Sequence, residues 1–332
     1  KKIQESKTRI ILGTRSAILA PFKNLGLIVV DEEHDISYKQ QEGFRYSARD
    51  LAVMRAKNFN IPIILGSATP SLESFSRHVN NKYKYLTLKK RAGNAKLPSM
   101  HLVDLNKDHS EDGLSKLLIK SMNEHIENDG QILVFINRRG YAPTLICKTC
   151  KFIAECSRCD SRMTLYLSKK LLLCHHCGYK EKYKKNCIKC DSEMIALGQG
   201  SQRIEDSLKK HFPNEQILRI DSDSTRQKSS LNEALEKAKT GKAKILVGTQ
   251  MLSKGHHFSS LSLVVVVNAD QGLFSNDFRG SERLAQNIIQ VAGRAGREKK
   301  KGQVIIQTEY PDHPFWPLLF RGGYKEIVEM TL

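Results

Sequence analysis

All eight cysteines of this 332-residue chain fall within 44 residues, and they form four pairs with two residues between the partners. A Cys-x-x-Cys pair makes a tight turn that presents two thiolates to one metal ion, and two such pairs complete a tetrahedral zinc site. Disulfide scaffolds need no uniform gap and usually occur in small secreted chains. The spacing therefore predicts two structural zinc ions in a reducing compartment, bound by Cys147, Cys150, Cys156, Cys159, Cys174, Cys177, Cys187 and Cys190.

The spacing leaves open which pairs share a zinc ion. A nested arrangement is attractive, because it lets the cysteine-rich segment leave and rejoin the rest of the chain at neighbouring points. It would place Cys147, Cys150, Cys187 and Cys190 on the first zinc, and Cys156, Cys159, Cys174 and Cys177 on the second. His175 and His176 lie between two of these cysteines, but eight thiolates already saturate two sites, so neither histidine is expected to be a ligand.

The cysteine-rich segment is basic and contains four aromatic residues. Between residues 147 and 190 there are eleven Lys or Arg and three Asp or Glu, and the charge of two zinc ions with eight thiolates, about −4, leaves it basic. The aromatic side chains either stack on bases or face a partner protein, or they form the small core of a domain that has no other. These residues are Phe152, Tyr166, Tyr179 and Tyr183.

The overall charge favours a polyanionic partner. The chain has 54 Lys and Arg against 35 Asp and Glu, a formal charge of +19, and each phosphate that such a surface neutralises releases condensed counterions. Nucleic acid is the first expectation, and a basic surface that only maintains solubility is the alternative. The sequence has no run of about 18 apolar residues such as a membrane span requires, so no membrane partner is expected.

Short apolar runs alternate with segments of helical length. Such runs without polar alternation are typical of parallel strands buried on both faces, and they occur at residues 10–12, 25–30, 63–65, 132–136, 245–247, 263–267 and 304–306. Helices are expected at 47–58, 114–128, 201–211, 229–240 and 281–291. The pattern predicts an α/β fold whose ligands bind beyond the carboxyl ends of the strands. The basic, weakly patterned stretch 89–112 reads as a linker.

Two clusters of polar residues indicate phosphate chemistry. Asp31 and Glu32 follow an apolar run, as in a Walker B element, where one carboxylate holds Mg²⁺ and the next polarises the attacking water. Alone, these acids could equally begin an ordinary loop. Gln290, Arg294 and Arg297 are interleaved with glycines, and the planar fork of arginine suits it to a transferring phosphoryl group. A basic helix end is the alternative for that segment, but both clusters together predict a nucleotide-driven motor.

The motifs resemble those of superfamily 2 helicases. Segments 31–34, 66–70 and 290–297 resemble motifs II, III and VI, while 13–17, 135–141 and 247–256 resemble motifs Ia, IV and V. An eight-cysteine insertion directly after motif IV narrows the resemblance to the PriA, or primosomal protein N′, family. Residues 38–46 look like the aromatic-rich loop of that family, and the resemblance covers essentially the whole chain.

The resemblance implies a domain organisation. It is that of an α/β protein with two RecA-like helicase lobes, parallel sheets flanked by helices, of which the first is incomplete. Residues 1–95 would be the remainder of lobe 1, 96–112 a linker and 113–320 lobe 2, with the zinc-binding insertion at 144–194. Residues 321–332 would begin a truncated C-terminal region.

By matching motif, the resemblance also implies residue roles. Asp31 would coordinate Mg²⁺ and Glu32 would activate water, with His34, Gly255 and Gln290 also at the nucleotide and with Arg294 and Arg297 on the γ-phosphate. Ser67 and Thr69 would couple the nucleotide state to lobe movement. The nucleic-acid contacts would be Thr14, Arg15, Ser16, Phe44, Arg45, Tyr46, Arg138, Arg139, Thr249, Gln250 and Lys254.

The resemblance further implies a bacterial, cytoplasmic replication-restart helicase. It would unwind DNA in the 3′ to 5′ direction at stalled forks and D-loops, using ATP and Mg²⁺ and carrying two structural Zn²⁺. Single-stranded DNA, primosome proteins and single-stranded DNA-binding protein are the expected partners, and a monomer is the expected state.

The sequence departs from the helicase pattern in one respect. It contains no Gly-x-x-x-x-Gly-Lys-Ser/Thr, the phosphate-binding Walker A motif. We expect that the chain starts downstream of this motif, that the family's N-terminal DNA-binding region and C-terminal domain are also absent, and that the chain alone is inactive or nearly so. The alternative function is a zinc-ribbon adaptor for DNA or protein whose motor lobes do not hydrolyse ATP. A nuclease using Asp221, Asp223 and Asp270 is a weaker hypothesis, because these acids have no defined spacing and are expected to cap helices or turns.

Overall fold

The chain folds into two compact units. The computed structural model describes residues 8–40, 43–88, 97–108, 113–136, 144–159, 161–166, 171–174, 177–197, 200–220, 228–248, 258–275, 277–296 and 302–332. One unit is Lys1–Leu86 and the other is Thr87–Thr331. None of the helices in these described segments has the length and apolar character that crossing a membrane would require.

The first unit is built on two parallel strands. Strands β1 (Ile28–Asp31) and β2 (Ile63–Gly66) pair so that Asp31 lies opposite Gly66. Helix α1 (Ala48–Asn58) begins at the N-cap Ser47 and buries Ala48, Ala52 and Ala56, a spacing of four that forms one stripe. The small residues of that stripe allow α1 to pack closely on the sheet. Helix α2 (Leu72–Val79) follows β2.

The strand predicted at residues 10–12 is wrong. These residues have no strand pairing, and Ile10 and Leu12 are 78% and 95% exposed. A strand is stabilised by hydrogen bonds to a neighbour and by burial of its side chains, and residues 10–12 have neither within the described part of the unit. A short 3-10 helix, Arg15–Leu19, comes directly after them.

The second unit is built on a six-stranded parallel sheet. Its order is β10 (Ile217–Ile220), β11 (Ile245–Gly248), β4 (Gln131–Ile136), β12 (Leu261–Val267), β13 (Gln303–Thr308) and β3 (Ser99–Asp104). Strands β4 and β12 are buried along their whole length, as expected of central strands covered on both faces. The crossover helices are α3 (Lys116–Glu127), α4 (Gly200–His211), α5 (Lys228–Lys239), α6 (Asp270–Leu273) and α7 (Gly280–Ala292).

Both ends of the second unit differ from the predicted boundaries. Residues 96–112, interpreted as a linker, contain β3, which pairs with β13 along its full length. Its alternating exposed and buried side chains are those of a half-covered edge strand, which an apolar-run criterion overlooks. At the other end, α8 (Phe315–Gly322) and α9 (Tyr324–Thr331) bury Trp316, Ile327 and Val328, so residues 321–331 belong to this unit and not to a separate region.

The cysteine-rich segment forms its own antiparallel sheet. The order is β8 (Lys180–Lys182), β7 (Leu171–Leu173), β6 (Thr164–Tyr166), β5 (Thr144–Cys147) and β9 (Met194–Leu197). The first strand, β5, pairs with the last, β9, so that Thr144 lies opposite Leu197. The segment therefore leaves and rejoins the six-stranded domain at adjacent points, within 144–197 instead of the predicted 144–194.

Candidate functional sites

The loop after β1 holds the predicted nucleotide residues. Asp31 ends the strand, its Oδ1 accepts a hydrogen bond from the Glu32 amide at 2.9 Å, and the Glu33 amide donates to the Gly66 carbonyl at 3.0 Å. Glu32 has a φ of 48°, in the left-handed region that non-glycine residues seldom adopt. Such conformations concentrate at functional sites, where the surrounding structure imposes them.

His34 connects this loop to the residues that follow β2. Its Nδ1 lies 2.7 Å from the Ser67 hydroxyl and 3.6 Å from a Glu32 carboxylate oxygen. The Ser67 hydroxyl also accepts a hydrogen bond from the Thr69 amide at 2.9 Å. The structure thus brings the predicted nucleotide residues Glu32 and His34 into one network with the predicted coupling residues Ser67 and Thr69.

The predicted nucleic-acid residues of the first unit line a cleft of about 410 Å³. Thr14, Arg15 and Ser16 form one side, and Phe44 and Tyr46 form the other. Phe44 is 84% exposed, and its ring centre lies 5.9 Å from that of Tyr46. Arg45 is exposed but does not line the cleft. Exposed aromatic rings beside a guanidinium are the groups that single-stranded nucleic acid uses for stacking and charge neutralisation.

Tyr38 links this cleft to the acidic loop. Its hydroxyl donates to the main-chain carbonyl of Asp31 at 2.7 Å, while Arg15 donates to the carbonyls of Ser37 and Lys39 at 3.2 and 3.3 Å. Desolvation and the nearby Asp31, Asp35 and Glu32 carboxylates raise the pKa of Tyr38 above its usual value, so the hydroxyl remains a proton donor at neutral pH. Arg15, which lines the cleft, therefore contacts the residues on either side of Tyr38, and Tyr38 contacts the first residue of the acidic loop.

The predicted motif VI residues lie at the end of α7. Gln290 is in its last turn and Arg294 follows its C-cap, Gly293. The turn that follows passes the amino end of β12, where the Gly296 amide donates to the Leu261 carbonyl at 3.1 Å with Gly296 at a φ of 68°. A side chain at that φ would be strained, which explains the glycine. The remaining predicted residues lie outside the described residues: Arg138, Arg139, Thr249, Gln250, Lys254, Gly255 and Arg297.

The eight cysteines assemble into two clusters with the nested pairing. Cys147, Cys150, Cys187 and Cys190 form one cluster, and the sulfur atoms within each cluster lie within 4.8 Å of one another. The other cluster consists of Cys156, Cys159, Cys174 and Cys177. In the first cluster, the sulfur atoms of Cys147 and Cys190 are 3.4 Å apart and those of Cys150 and Cys187 are 3.6 Å apart. Tetrahedral zinc with thiolate bonds of about 2.3 Å places sulfur atoms roughly 3.8 Å apart, so both clusters fit zinc.

The turns around the cysteines present the sulfur atoms to a common centre. Residues Lys151, Gly178 and Asp191, each directly after the second cysteine of a pair, have φ values of 57°, 76° and 57°. The amide of the second cysteine also approaches the first sulfur, as from Cys150 to Cys147 at 3.4 Å. His175 and His176 lie outside the described residues, and the clusters are complete without them.

The thiols within a cluster differ in acidity: hydrogen bonds from Ser192 and the neighbouring thiols lower the pKa of Cys190 to about 6. A hydrogen bond involving the Phe152 backbone lowers the pKa of Cys150, but desolvation and the neighbouring thiols raise it to about 12. The same balance, with the Tyr179 backbone, raises the pKa of Cys177 to about 12. Four thiolates this close are mutually repulsive, and a bound divalent ion is what stabilises the ionised form.

The aromatic residues of the cysteine-rich domain form its small core. Phe152, Tyr179 and Tyr183 are half-buried and pack against the cluster of buried residues around the cysteines. Lys189 covers the ring of Phe152 and Arg158 that of Tyr179, each at 4.7 Å. Of the two arrangements that the sequence left open, these three rings therefore adopt the second, in which they form the small core of the domain. The side chain of Tyr166 lies outside the described residues.

The cysteine-rich domain is anchored on the six-stranded domain. Lys151 pairs with Glu309 at 2.9 Å, and Arg162 donates to the Ser275 carbonyl at 3.2 Å while covering the ring of Phe274. Glu309 lies beside the buried Asp270, which accepts its amide hydrogen bond at 2.9 Å and also accepts one from the Thr308 hydroxyl. Asp270 is thus a structural acid beneath this contact, while Asp221 and Asp223 lie outside the described residues.

Asp270 makes the second unit sensitive to pH. Burial raises the pKa of its carboxyl from 3.8 to about 6, although hydrogen bonds from Glu309 and Thr308 oppose the shift. Because the folded state favours the protonated carboxyl, this stabilisation is complete below pH 3.8 and is lost as the pH rises through 6. We expect Asp270→Asn to remove this loss, so that the unfolding free energy of the variant gains about 2 kcal/mol relative to the parent between pH 4 and 7. Urea unfolding followed by Trp316 fluorescence measures this, with the exposed Asp312→Asn as control. Parallel pH profiles for the parent and Asp270→Asn would contradict it.

Several residues of the first site carried no interpretable sequence signal. Glu33, Arg49, Ser71 and Ser74 join in one hydrogen-bonded group beside the acidic loop. Glu33 lies within segment 31–34, which resembles motif II, but no role of its own was predicted for it, and its partners are separated from it by 16 to 41 positions. A third acid directly after a Walker B pair, together with a serine that begins a helix, is the signal that could have indicated them.

Comparisons with known proteins agree with the motifs. Three family models match: the DEAD/DEAH box helicase at residues 1–77, the helicase conserved C-terminal domain at 172–299, and the PriA DNA helicase Cys-rich region domain at 156–182. The replication restart protein PriA of Haemophilus influenzae is 47% identical over the whole chain, which covers 46% of that relative. That of Bacillus subtilis is 41% identical over 94% of the chain and 39% of the relative. The chain therefore spans about half the length of these relatives.

Solved structures show weaker similarity. The DUF1998 helicase MrfA bound to DNA has a TM-score of 0.46 at 17% identity, covering 91% of this chain and 36% of that one. RecG bound to a three-way DNA junction has a TM-score of 0.45 at 14% identity, covering 94% and 30%.

Proposed function

The chain belongs to the PriA family of replication restart proteins, and from that premise we propose that it is the motor portion of an ATP-dependent DNA helicase with 3′ to 5′ polarity. The intact protein would act at stalled forks and D-loops in the bacterial cytoplasm, with primosome proteins and single-stranded DNA-binding protein as partners. We propose a monomer, and two structural zinc ions in the cysteine-rich domain. The activity proposed for the intact protein is inferred from relatives about half of whose length this chain spans.

One observation carries this proposal. Within the first unit, the cleft lined by Arg15, Phe44 and Tyr46 is connected to the acidic loop through Tyr38, whose hydroxyl donates to the Asp31 carbonyl. A nucleic-acid-stimulated motor requires such a connection, because the strand must alter the position of the hydrolytic residues. A binding module has no need for it.

The acidic loop supplies the hydrolytic groups. Asp31, exposed at the end of β1, offers the carboxylate oxygens that Mg²⁺ prefers, and Mg²⁺ with ATP would neutralise charge that develops on the transferring phosphoryl group. Glu32, which lies beside His34, would be the base that orients and deprotonates the attacking water. A movement of this loop would be transmitted to Ser67 through its contact with His34, and from Ser67 to the Thr69 amide.

The second unit supplies the nucleotide-sensing groups. Gln290 and Arg294 at the end of α7, with Arg297, would contact the nucleotide, and the guanidinium groups would stabilise charge on the γ-phosphate. We assign His34 and Gly255 to the same nucleotide. Along the strand, Thr14, Ser16 and Arg45 would act with Arg138, Arg139, Thr249, Gln250 and Lys254.

A strand-displacement assay tests the proposal. The protein extended upstream to include a Walker A motif should release a duplex that carries a 3′ single-stranded tail at least tenfold faster than one with a 5′ tail, because the motor tracks one strand in one direction. The 332-residue chain should show no ATP-dependent displacement, since it has no Walker A lysine.

Either of two results would refute it. Equal displacement of both substrates would disprove the polarity. DNA binding without any ATP-dependent displacement by the extended protein would favour the zinc-ribbon adaptor instead.

A further inference from the structure

Glu33 is a buried carboxylate with four hydrogen-bonding contacts. It is 2% exposed, and its Oε1 accepts from the Ser71 amide at 2.6 Å. Its Oε2 accepts from the hydroxyls of Ser71 at 3.0 Å and Ser74 at 2.8 Å, and from the Arg49 guanidinium at 3.3 Å. Burying a carboxylate costs several kcal/mol unless it is paired and hydrogen-bonded, and these four contacts offset that cost.

The contacts of Glu33 converge on the start of α2. Ser71 is the N-cap of that helix, and its hydroxyl accepts from the Ser74 amide. Glu33 binds the main-chain amide of the cap as well as both serine hydroxyls, so it fixes the direction in which the helix leaves β2. A negative charge at a helix N-terminus is also favoured by the helix dipole.

Arg49 supplies the balancing charge from α1. Its guanidinium contacts Glu33 and donates to the Ser71 hydroxyl at 2.6 Å, and its Nε donates to Asp50 at 3.0 Å. Desolvation lowers the pKa of Arg49, but Asp50 and Glu33 more than offset this and raise it. Arg49 is therefore cationic at every accessible pH, and Glu33 is held between two helices that flank the sheet.

The position of this group gives it a mechanical role. Glu33 directly follows Glu32, and Ser71 lies two residues after Thr69. The His34–Ser67 contact already joins the two loops at one point. Glu33 adds a second connection on the other side of the segment, so the acidic loop and residues 67–71 must move together.

We propose that Glu33 is a positioning residue that makes the hydrolytic loop and the coupling segment a single rigid element, with Arg49 as its counter-ion. It contacts no nucleotide and acts through Glu32, Ser67 and Thr69. This inference rests on the proposed function, because rigid coupling affects hydrolysis only in a working motor.

The test compares Glu33→Gln with Asp50→Asn in the upstream-extended protein. Glu33→Gln keeps the side-chain shape but removes the charge that Arg49 balances, whereas Asp50→Asn changes a different partner of Arg49, the one bonded to its Nε, and leaves Glu33 and Ser71 in place. We expect Glu33→Gln to lower the DNA-stimulated kcat roughly tenfold while KM for ATP changes less than about threefold. Asp50→Asn should retain parental values.

A third variant separates positioning from stability. In the double substitution Glu33→Gln with Arg49→Met, the cation that has lost its Glu33 partner is also removed, so the midpoint of thermal unfolding should recover towards that of the parent. The DNA-stimulated kcat should remain low, and amide hydrogen exchange at residues 67–74 should remain faster than in the parent.

Three outcomes would overturn the inference. Parental kcat in Glu33→Gln would remove Glu33 from the mechanism, and recovery of kcat together with thermal stability in the double variant would make its role purely structural. If the parental extended protein shows no DNA-stimulated hydrolysis, both the proposed function and this inference fail. Measuring the DNA-stimulated rate of the parent therefore separates this outcome from the other two, in which the parent hydrolyses ATP.

Discussion

The double substitution Cys147→Ser with Cys150→Ser is expected to leave one zinc ion per molecule where the parent binds two. Both residues belong to the same four-sulfur cluster, and two hydroxyls cannot replace two thiolates. Structural zinc contributes about 10–16 kcal/mol in small zinc-binding domains, and that energy is also folding energy. Residues 144–197 should then become susceptible to limited proteolysis, while the six-stranded domain persists.

Colorimetric titration of zinc released on denaturation measures the first effect. Thr149→Ser, within the same turn, changes no ligand and should retain two ions. Cys147→Ser with Cys187→Ser tests the pairing directly, because the nested arrangement predicts loss of one ion, whereas pairing of successive turns predicts loss of both. Two retained ions in the Cys147→Ser, Cys150→Ser variant would disprove the ligand assignment.

The substitution Glu32→Gln should abolish hydrolysis in the upstream-extended protein. In the proposed function its carboxylate would deprotonate the attacking water, and loss of a general base lowers a rate by about 10²–10⁴-fold. The amide keeps the size of the side chain, so binding of ATP and of single-stranded DNA should change little. Phosphate release with and without single-stranded DNA, together with DNA-binding titrations, separates the two effects.

Asp35→Asn is the matched control for this experiment. Asp35 lies on the same loop, where its carboxylate accepts the Ser37 amide at 2.8 Å, and it is not among the residues predicted to contact the nucleotide. It should retain the stimulated rate to within a few-fold. Hydrolysis that persists in Glu32→Gln would assign the base to another residue and weaken the motor hypothesis for the first unit.

The parts of the fold that follow from burial on both faces were predictable. Strands β4, β11 and β12 are continuous apolar runs, and the α/β class follows from them, whereas the division into two helicase-type lobes came from the motif resemblance. Strand β3 was missed because its one exposed face interrupts the apolar run with His101 and because basic residues precede it. The opposite error occurred at residues 10–12, where an apolar run exists but no strand among the described residues pairs with it.

The candidate sites divide in a similar way. Cys-x-x-Cys spacing identified the zinc ligands because each turn is local, while the pairing between turns required the register of β5 with β9. Asp31, Glu32, Ser67 and Thr69 were identified as motifs. Tyr38 and Glu33 act through contacts with carbonyl and hydroxyl groups that no residue pattern encodes, so only the structure places them.

The strand order of the second unit also has a consequence during synthesis. Strand β4 is central in the sheet, yet both of its neighbours, β11 and β12, are encoded after the cysteine-rich domain. At ribosomal rates of about 5–20 residues per second, β4 therefore waits on the order of ten seconds for its second partner. The cysteine-rich domain closes on its own β5–β9 pair and on zinc, so it can fold during this interval. Zinc supply at the ribosome would then determine whether the nascent chain reaches β12 with a folded domain or with about fifty unstructured residues beside an unpaired apolar strand.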